Sequence, residues 1–141
     1  MRKRTKRIVG SFLIFVATLS GQSAFSQETS PEDKWEVSPQ KTQKQNPIPA
    51  NEESLIRGKE FYARECLDCH GALGHGDGPG AQDLKKKMPD ISNPEIQAQT
   101  DGSLFWKIKM GRTPMPAYRD LLKDEEIWDV VNYVRTLTRK K

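Results

Sequence analysis

Two thiols and an imidazole stand within five consecutive residues, Cys66-Leu67-Asp68-Cys69-His70. Two cysteines three apart, followed at once by histidine, form the pattern by which a c-type haem is attached. The spacing has a chemical reason. Each thiol adds across one vinyl group of a porphyrin, and the adjacent imidazole turns beneath the ring to ligate iron. Cysteines further apart would not meet both vinyls from one turn of helix.

Rival chemistries fit less well. A Cys-x-x-Cys redox pair belongs at the start of a helix in a strand–helix–strand unit, and no strand alternation is visible. A zinc site needs four ligands. The thiol and imidazole candidates number four, Cys66, Cys69, His70 and His75, and neighbours such as Cys69 and His70 make poor joint ligands for one tetrahedral ion. A disulfide between Cys66 and Cys69 would close too small a loop to stabilise much.

Iron held by His70 keeps one axial position open to a second ligand. A protein side chain there makes an electron-transfer centre; an open position binds ligands or reacts with peroxide. The candidates are Met88, Met110, Met115 and His75. Met115 lies in Arg112-Thr113-Pro114-Met115-Pro116-Ala117-Tyr118. Prolines on both sides fix φ and deny helix, so its thioether is presented on a stiff loop. Met115 is therefore the expected ligand and Met88 the alternative. Met110 is expected to pack as core, and His75 to be a solvent-exposed bystander.

These residues need elements to hold them. Asn51 reads as an N-cap with Glu52 and Glu53 in the first turn, and the helix it opens runs to about Glu65 and delivers Cys66. Gly58, inside that helix, costs up to about 1 kcal/mol relative to alanine and suggests close approach by another helix. The partner is the last helix, capped by Asp124, with Ile127, Val130, Val131, Val134 and Leu137 on one face. Basic Arg135, Arg139, Lys140 and Lys141 suit its end. Trp128 reads as core or haem-edge packing, with a redox relay as the alternative. A third helix, Gly102 to Met110, is capped by Asp101 and ended by Gly111. Between them lies a loop with five glycines in ten residues, Gly71 to Gly80, able to pass close to a flat ligand. A short helical turn is expected around Gln82–Lys87.

The chain opens with a basic stretch (residues 1–7), then an uncharged apolar run of fourteen residues from Ile8 to Gly21. Ala24 and Ser26 stand at the −3 and −1 positions of a cut before Gln27. This is the pattern of a secretory signal over residues 1–26, too short for a comfortable span of about 20 residues; an uncleaved membrane tether is the alternative. The formal charge of +4 misleads, because five basic residues lie in that segment. The remainder carries 18 basic and 19 acidic residues, a net −1, and a nucleic-acid partner loses its support. Residues 27–50 read as a polar, proline-containing linker, in which Trp35 either idles or docks on the domain or a partner. The domain is expected over residues 51–141.

Taken in order, Gly58 and Tyr62, the Cys66–His70 motif, the glycine loop with Pro79, Met115-Pro116, and a terminal helix with Val130 and Tyr133 resemble a class I mono-haem cytochrome c of the small bacterial exported type. The resemblance covers about residues 51–138. It implies an all-α cytochrome c fold, three to four helices wrapped round one covalent haem c, with the first and last helices crossing at Gly58. It also implies a Pro79 carbonyl bonded to the imidazole of the proximal ligand His70. Leu104, Phe105, Ile108, Tyr118 and Ile127 are expected around the haem. The function implied is that of a periplasmic or otherwise exported, non-enzymatic monomer. It would pass single electrons between a respiratory donor and acceptor, with redox proteins or a membrane-bound respiratory complex as partners. A fixed haem subunit of a larger dehydrogenase or oxidase, and a small peroxidase or gas sensor with an open distal site, are the alternatives.

Overall fold

Residues 35–138 are described by the computed structural model. The α-helices are α1 (Pro39–Thr42), α2 (Glu52–Glu65), α3 (Leu67–His70), α4 (Pro94–Gln97), α5 (Asp101–Met110) and α6 (Asp124–Thr136), with a 3-10 turn at Pro79–Asp83. Among the described residues β pairing is confined to one isolated bridge, Arg112 with Met115. The fold is all-α, as the sequence predicts. The expected signal segment, and the basic tail Arg139 to Lys141, lie outside the described residues.

Helix α2 starts as its sequence dictates: the Asn51 side chain accepts from the Ser54 N–H at 2.9 Å, and Glu52 and Glu53 occupy the positive end of the dipole. Helices α5 and α6 each start a residue away from the expected cap. Thr100 caps α5, its hydroxyl accepting from the Ser103 N–H. Lys123 precedes α6, its N–H donating to the Glu126 carboxylate at 2.8 Å. The helical turn expected at Gln82–Lys87 lies earlier, at Pro79–Asp83, and a further turn opens at Pro94. In both, proline at the first helical position is pre-set for the turn and has no N–H to leave unbonded.

The α2–α6 crossing organises the rest. A Cβ on Gly58 would fall inside contact distance of the Asp129 carbonyl and of Tyr133 Cβ, so only glycine lets the two backbones meet. Tyr62 and Tyr133 pack beside it, ring centroids 5.3 Å apart. Asp129 is buried on α6 but paired, receiving Arg57 Nε at 2.6 Å and a second guanidinium nitrogen at 3.0 Å, a bidentate arrangement that satisfies both carboxylate oxygens. Ile127, Val130, Val131 and Val134 face the core with Leu104 and Phe105 of α5. Trp128 is core, stacked on Phe105 at 4.1 Å.

Residues 35–50, read from composition as a linker, lie on the domain in the structure. Three backbone carbonyls, of Lys41, Thr42 and Lys44, close on Gly102 of α5. Thr100 donates to the Thr42 carbonyl at 2.7 Å. Buried Asn132 of α6 donates to the Ile48 carbonyl and to Ser54, and accepts from Asn46. Composition misled here because a short polar segment carries few apolar side chains, while its backbone carbonyls and amides still find donors and acceptors on the domain.

Candidate functional site

Cys66 closes α2 and opens α3. Its carbonyl accepts from the N–H groups of Cys69 at 3.2 Å and His70 at 2.8 Å, so both thiols and the imidazole come from one helical turn. Gly71, at φ 76°, then turns the chain away, a left-handed conformation that glycine adopts without strain. The glycine loop folds back over α3: the Gly76 N–H donates to the His70 carbonyl at 2.9 Å, and Gly78 rests against the backbone of Leu67 and Asp68. Tyr62 fixes the same turn from α2 by donating to the Gly71 carbonyl at 2.7 Å.

The electrostatics at Cys66 are those of a neutral thiol. Burial, with Glu65 and Cys69 nearby, pushes the Cys66 thiol up to about 12. A thiol held neutral is a poor redox nucleophile. Burial also lowers the His70 pKa, leaving the imidazole neutral as iron ligation requires. Its Nδ1 is buried without a hydrogen-bond partner. An orphaned buried nitrogen of this kind is uncommon, and it is the ring nitrogen left over for the Pro79 carbonyl. Two free, half-buried cysteines on the same turn as a neutral imidazole are the donor set that fits a covalent porphyrin carrying iron. Among the described residues no cluster of three or more His, Cys, Asp or Glu could hold a metal ion alone.

The expected bond from the Pro79 carbonyl to His70 is not made. Pro79 is exposed and opens its own 3-10 turn, where a carbonyl is directed along the turn towards the residue three on. His75 also differs from its reading. It is half-buried, its Nδ1 3.0 Å from the Ser92 hydroxyl, which donates to Asp90. That bond ties the glycine loop to the segment following Met88. The signal was the pair Asp90 and Ser92, whose partner across the loop could not be read locally.

Met115 sits on a tight hairpin. The Arg112 N–H donates to the Met115 carbonyl at 3.0 Å and the Met115 N–H donates back at 2.9 Å. Gly111, at φ 60°, brings Pro116 against it, and the Tyr118 and Arg119 N–H groups return to the Ile108 and Lys109 carbonyls. Tyr118, buried, then reaches across the molecule. Its hydroxyl donates to the Glu65 carbonyl, one residue before Cys66, at 2.9 Å. Burial, with Cys66, Glu65 and Cys69 nearby, pushes the phenol up to about 12, so it stays a donor. Leu104, Phe105, Tyr118 and Ile127 are buried in one cluster, against which Cys66, Ile108 and Met115 pack. Met88 is buried against Gly76 beneath the glycine loop, and Met110 is half-buried at the end of α5.

Sequence reasoning missed Arg135, assigned only to the helix dipole. Its guanidinium bonds Asp101 and the Gln97 and Gln99 carbonyls, pinning α4 and α5 to α6.

A family model described as "Cytochrome C oxidase, cbb3-type, subunit III" matches residues 53–134. The chain is 34% identical over 93 residues to a thiosulfate dehydrogenase of Allochromatium vinosum, covering 60% of this chain and 32% of that protein. It is 27% identical over 86 residues to cytochrome c6 of Pyropia tenera, covering 61% here and 95% there. A cytochrome c6-like protein of Nostoc is 32% identical over 90 residues, 61% of this chain and 73% of that one. Among solved structures, a chain of the Kuenenia stuttgartiensis reducing HAO-like protein complex Kustc0457/Kustc0458 superposes with a TM-score of 0.61 at 29% identity, over 66% of this chain and 47% of the other. The KustC0563 c-type cytochrome superposes with a TM-score of 0.51 at 26% identity, over 58% of this chain and 98% of the other. The chain thus spans about a third of the dehydrogenase's length and just under half of the complex chain's.

Proposed function

The chain belongs to the c-type cytochrome family described as cytochrome C oxidase, cbb3-type, subunit III, and from that premise we propose an exported single-electron carrier in which Cys66 and Cys69 hold the haem and His70 and Met115 ligate its iron. It is a small mono-haem class I cytochrome c, an electron-carrying protein with one covalently bound haem c. When bound, the haem supplies an iron that takes up and gives back one electron.

The protein's part is to hold the ligands still. The observation that carries the reading is the Tyr118–Glu65 bond, which fastens the methionine hairpin to the residue preceding the haem motif. A thioether on a loop tied at both ends loses little entropy on ligation. With Met115 and His70 as its ligands, the iron would favour the reduced state relative to ligation by two imidazoles. Leu104, Phe105, Ile108 and Ile127 keep water away and push the same way, since a buried site disfavours the more charged ferric centre. No catalytic base or nucleophile is assigned.

The signal pattern and the family's haem chemistry support a place outside the cytoplasmic membrane. No helix among the described residues is long and apolar enough to cross a membrane. Redox proteins are the partners. The exposed run Lys85, Lys86 and Lys87 favours an acidic one, steered by a field that salt screens. A second reading, a fixed haem subunit of an oxidoreductase complex, draws support from the family description and from the Kuenenia complex chain.

The test is a redox titration of the exported holoprotein with carbon monoxide added to the reduced form. A carrier shows a reversible one-electron wave and no ready carbon monoxide binding; ready binding would point to an open axial site. Partner on-rates should fall as salt rises, and a salt-independent rate rules out steering. Recovery in a stable membrane complex would favour the subunit reading.

A further inference from the structure

We propose that residues 35–48 act as a positioning strap for the methionine hairpin, with Trp35 as its far anchor. The segment precedes the region matched by the family, residues 53–134, yet the domain is shaped to receive it. Gly102 is the clearest sign, because any side chain there would collide with the carbonyls of Lys41, Thr42 and Lys44. At one end Asn46 and the Ile48 carbonyl are held by buried Asn132. In the middle Lys44 lies over the Phe105 ring at 4.3 Å and pairs with Asp124 at 3.5 Å, while Lys41 lies over Trp106 at 4.2 Å. At the other end Trp35 is half-buried, with the Arg112 guanidinium 5.0 Å and the Lys107 ammonium 5.7 Å from its ring centroid.

Arg112 makes the link to the site. Its backbone pairs in both directions with Met115, so whatever restrains Arg112 restrains the residue carrying the thioether. The strap therefore adds a second hold on the hairpin beside the Tyr118 tie: one end rests on the α5–α6 framework and the other on Arg112. A cation over an indole face is a real if modest attraction, stronger when partly desolvated. Two of them on one ring shift the opening of the hairpin without being needed for the fold. The importance of this for electron transfer rests on the reading that Met115 ligates iron; the restraint itself does not.

The experiment compares amide hydrogen exchange in full-length exported holoprotein carrying Trp35→Ala, Trp35→Phe or Gly102→Ala with the unsubstituted protein. Losing both cation contacts should speed exchange at the Arg112 and Met115 amides by roughly five- to thirtyfold. Val130 and Val131, at the α2–α6 crossing, should keep their rates. Trp35→Phe should recover part of the protection, and Gly102→Ala should mimic Trp35→Ala by lifting the strap from the other side. In parallel the far-red charge-transfer band of sulfur-ligated ferric haem should disappear at lower temperature in Trp35→Ala. Unchanged rates at Arg112 and Met115 overturn the proposal, and so does a uniform acceleration that includes Val130 and Val131. If the unsubstituted protein lacks the band altogether, ligation by Met115 fails, and the exchange rates alone still decide the strap.

Discussion

The α2–α6 crossing and the segment from Cys66 to Tyr118 solve the burial problem in opposite ways. At the crossing, every buried polar side chain finds a partner in the polypeptide: Asp129 takes Arg57, and Asn132 serves Ser54, Ile48 and Asn46. In the other region the protein buries an imidazole nitrogen with no partner and gathers two free thiols and a thioether on short turns. The first region is complete as polypeptide. The second gathers the thiols, imidazole and thioether that a flat, covalently held group would join, and a small domain is marginal without such a centre.

The sharpest way to break that contrast is to remove the thioether bonds. Cys66→Ser with Cys69→Ser should abolish covalent haem, read as loss of the tetrapyrrole from the intact mass. Circular dichroism should then show a weak, non-cooperative melt, with residual helix in α2 and α6. A sharp two-state melt would mean that the haem-facing region folds unaided. Next in size is Gly58→Val. Forcing a branched side chain against the Asp129 carbonyl should cost about 3 kcal/mol or more by denaturant titration of the holoprotein. The Cys66–His70 turn should still take up haem.

Tyr118→Phe is the milder probe, because it removes one hydroxyl and keeps the ring. Losing the bond to Glu65 should cost about 1 kcal/mol and weaken methionine ligation before it weakens the crossing. The pH dependence has a definite sign. The folded phenol is raised from 10.0 to about 12, so its contribution is fully present below pH 10 and lost as pH rises through the folded value. The advantage of the tyrosine protein over Tyr118→Phe should therefore hold at neutral pH and shrink between those two values. A constant difference across that window would show that burial does not hold the phenol in its neutral form.

Local geometry was legible wherever one short stretch carried it. The Cys66–His70 spacing, the two prolines round Met115 and the cap at Asn51 each state their geometry within a few residues. Gly58 was legible as a cost whose cause lay elsewhere, and the Asp129 carbonyl 71 residues on is that cause. What escaped was long-range polar pairing. Nothing near Arg135 announces Asp101, Gln97 or Gln99, and nothing near Asn132 announces the strap it binds. Gly102 was read as an ordinary helix residue because its reason is a set of carbonyls from residues 41–44. Periodicity reports which face is apolar; it does not report which polar group across the molecule a buried donor will meet.

The haem placed between imidazole and thioether is the claim on which the rest depends, and one comparison tests it most directly: the ferric visible spectrum of the holoprotein against that of Met115→Ala. The unsubstituted protein should show the weak far-red charge-transfer band of sulfur–iron ligation, and the variant should lose it while keeping its covalent haem. A band that survives in Met115→Ala would assign the ligand to another methionine, Met88 first, and contradict the site described here.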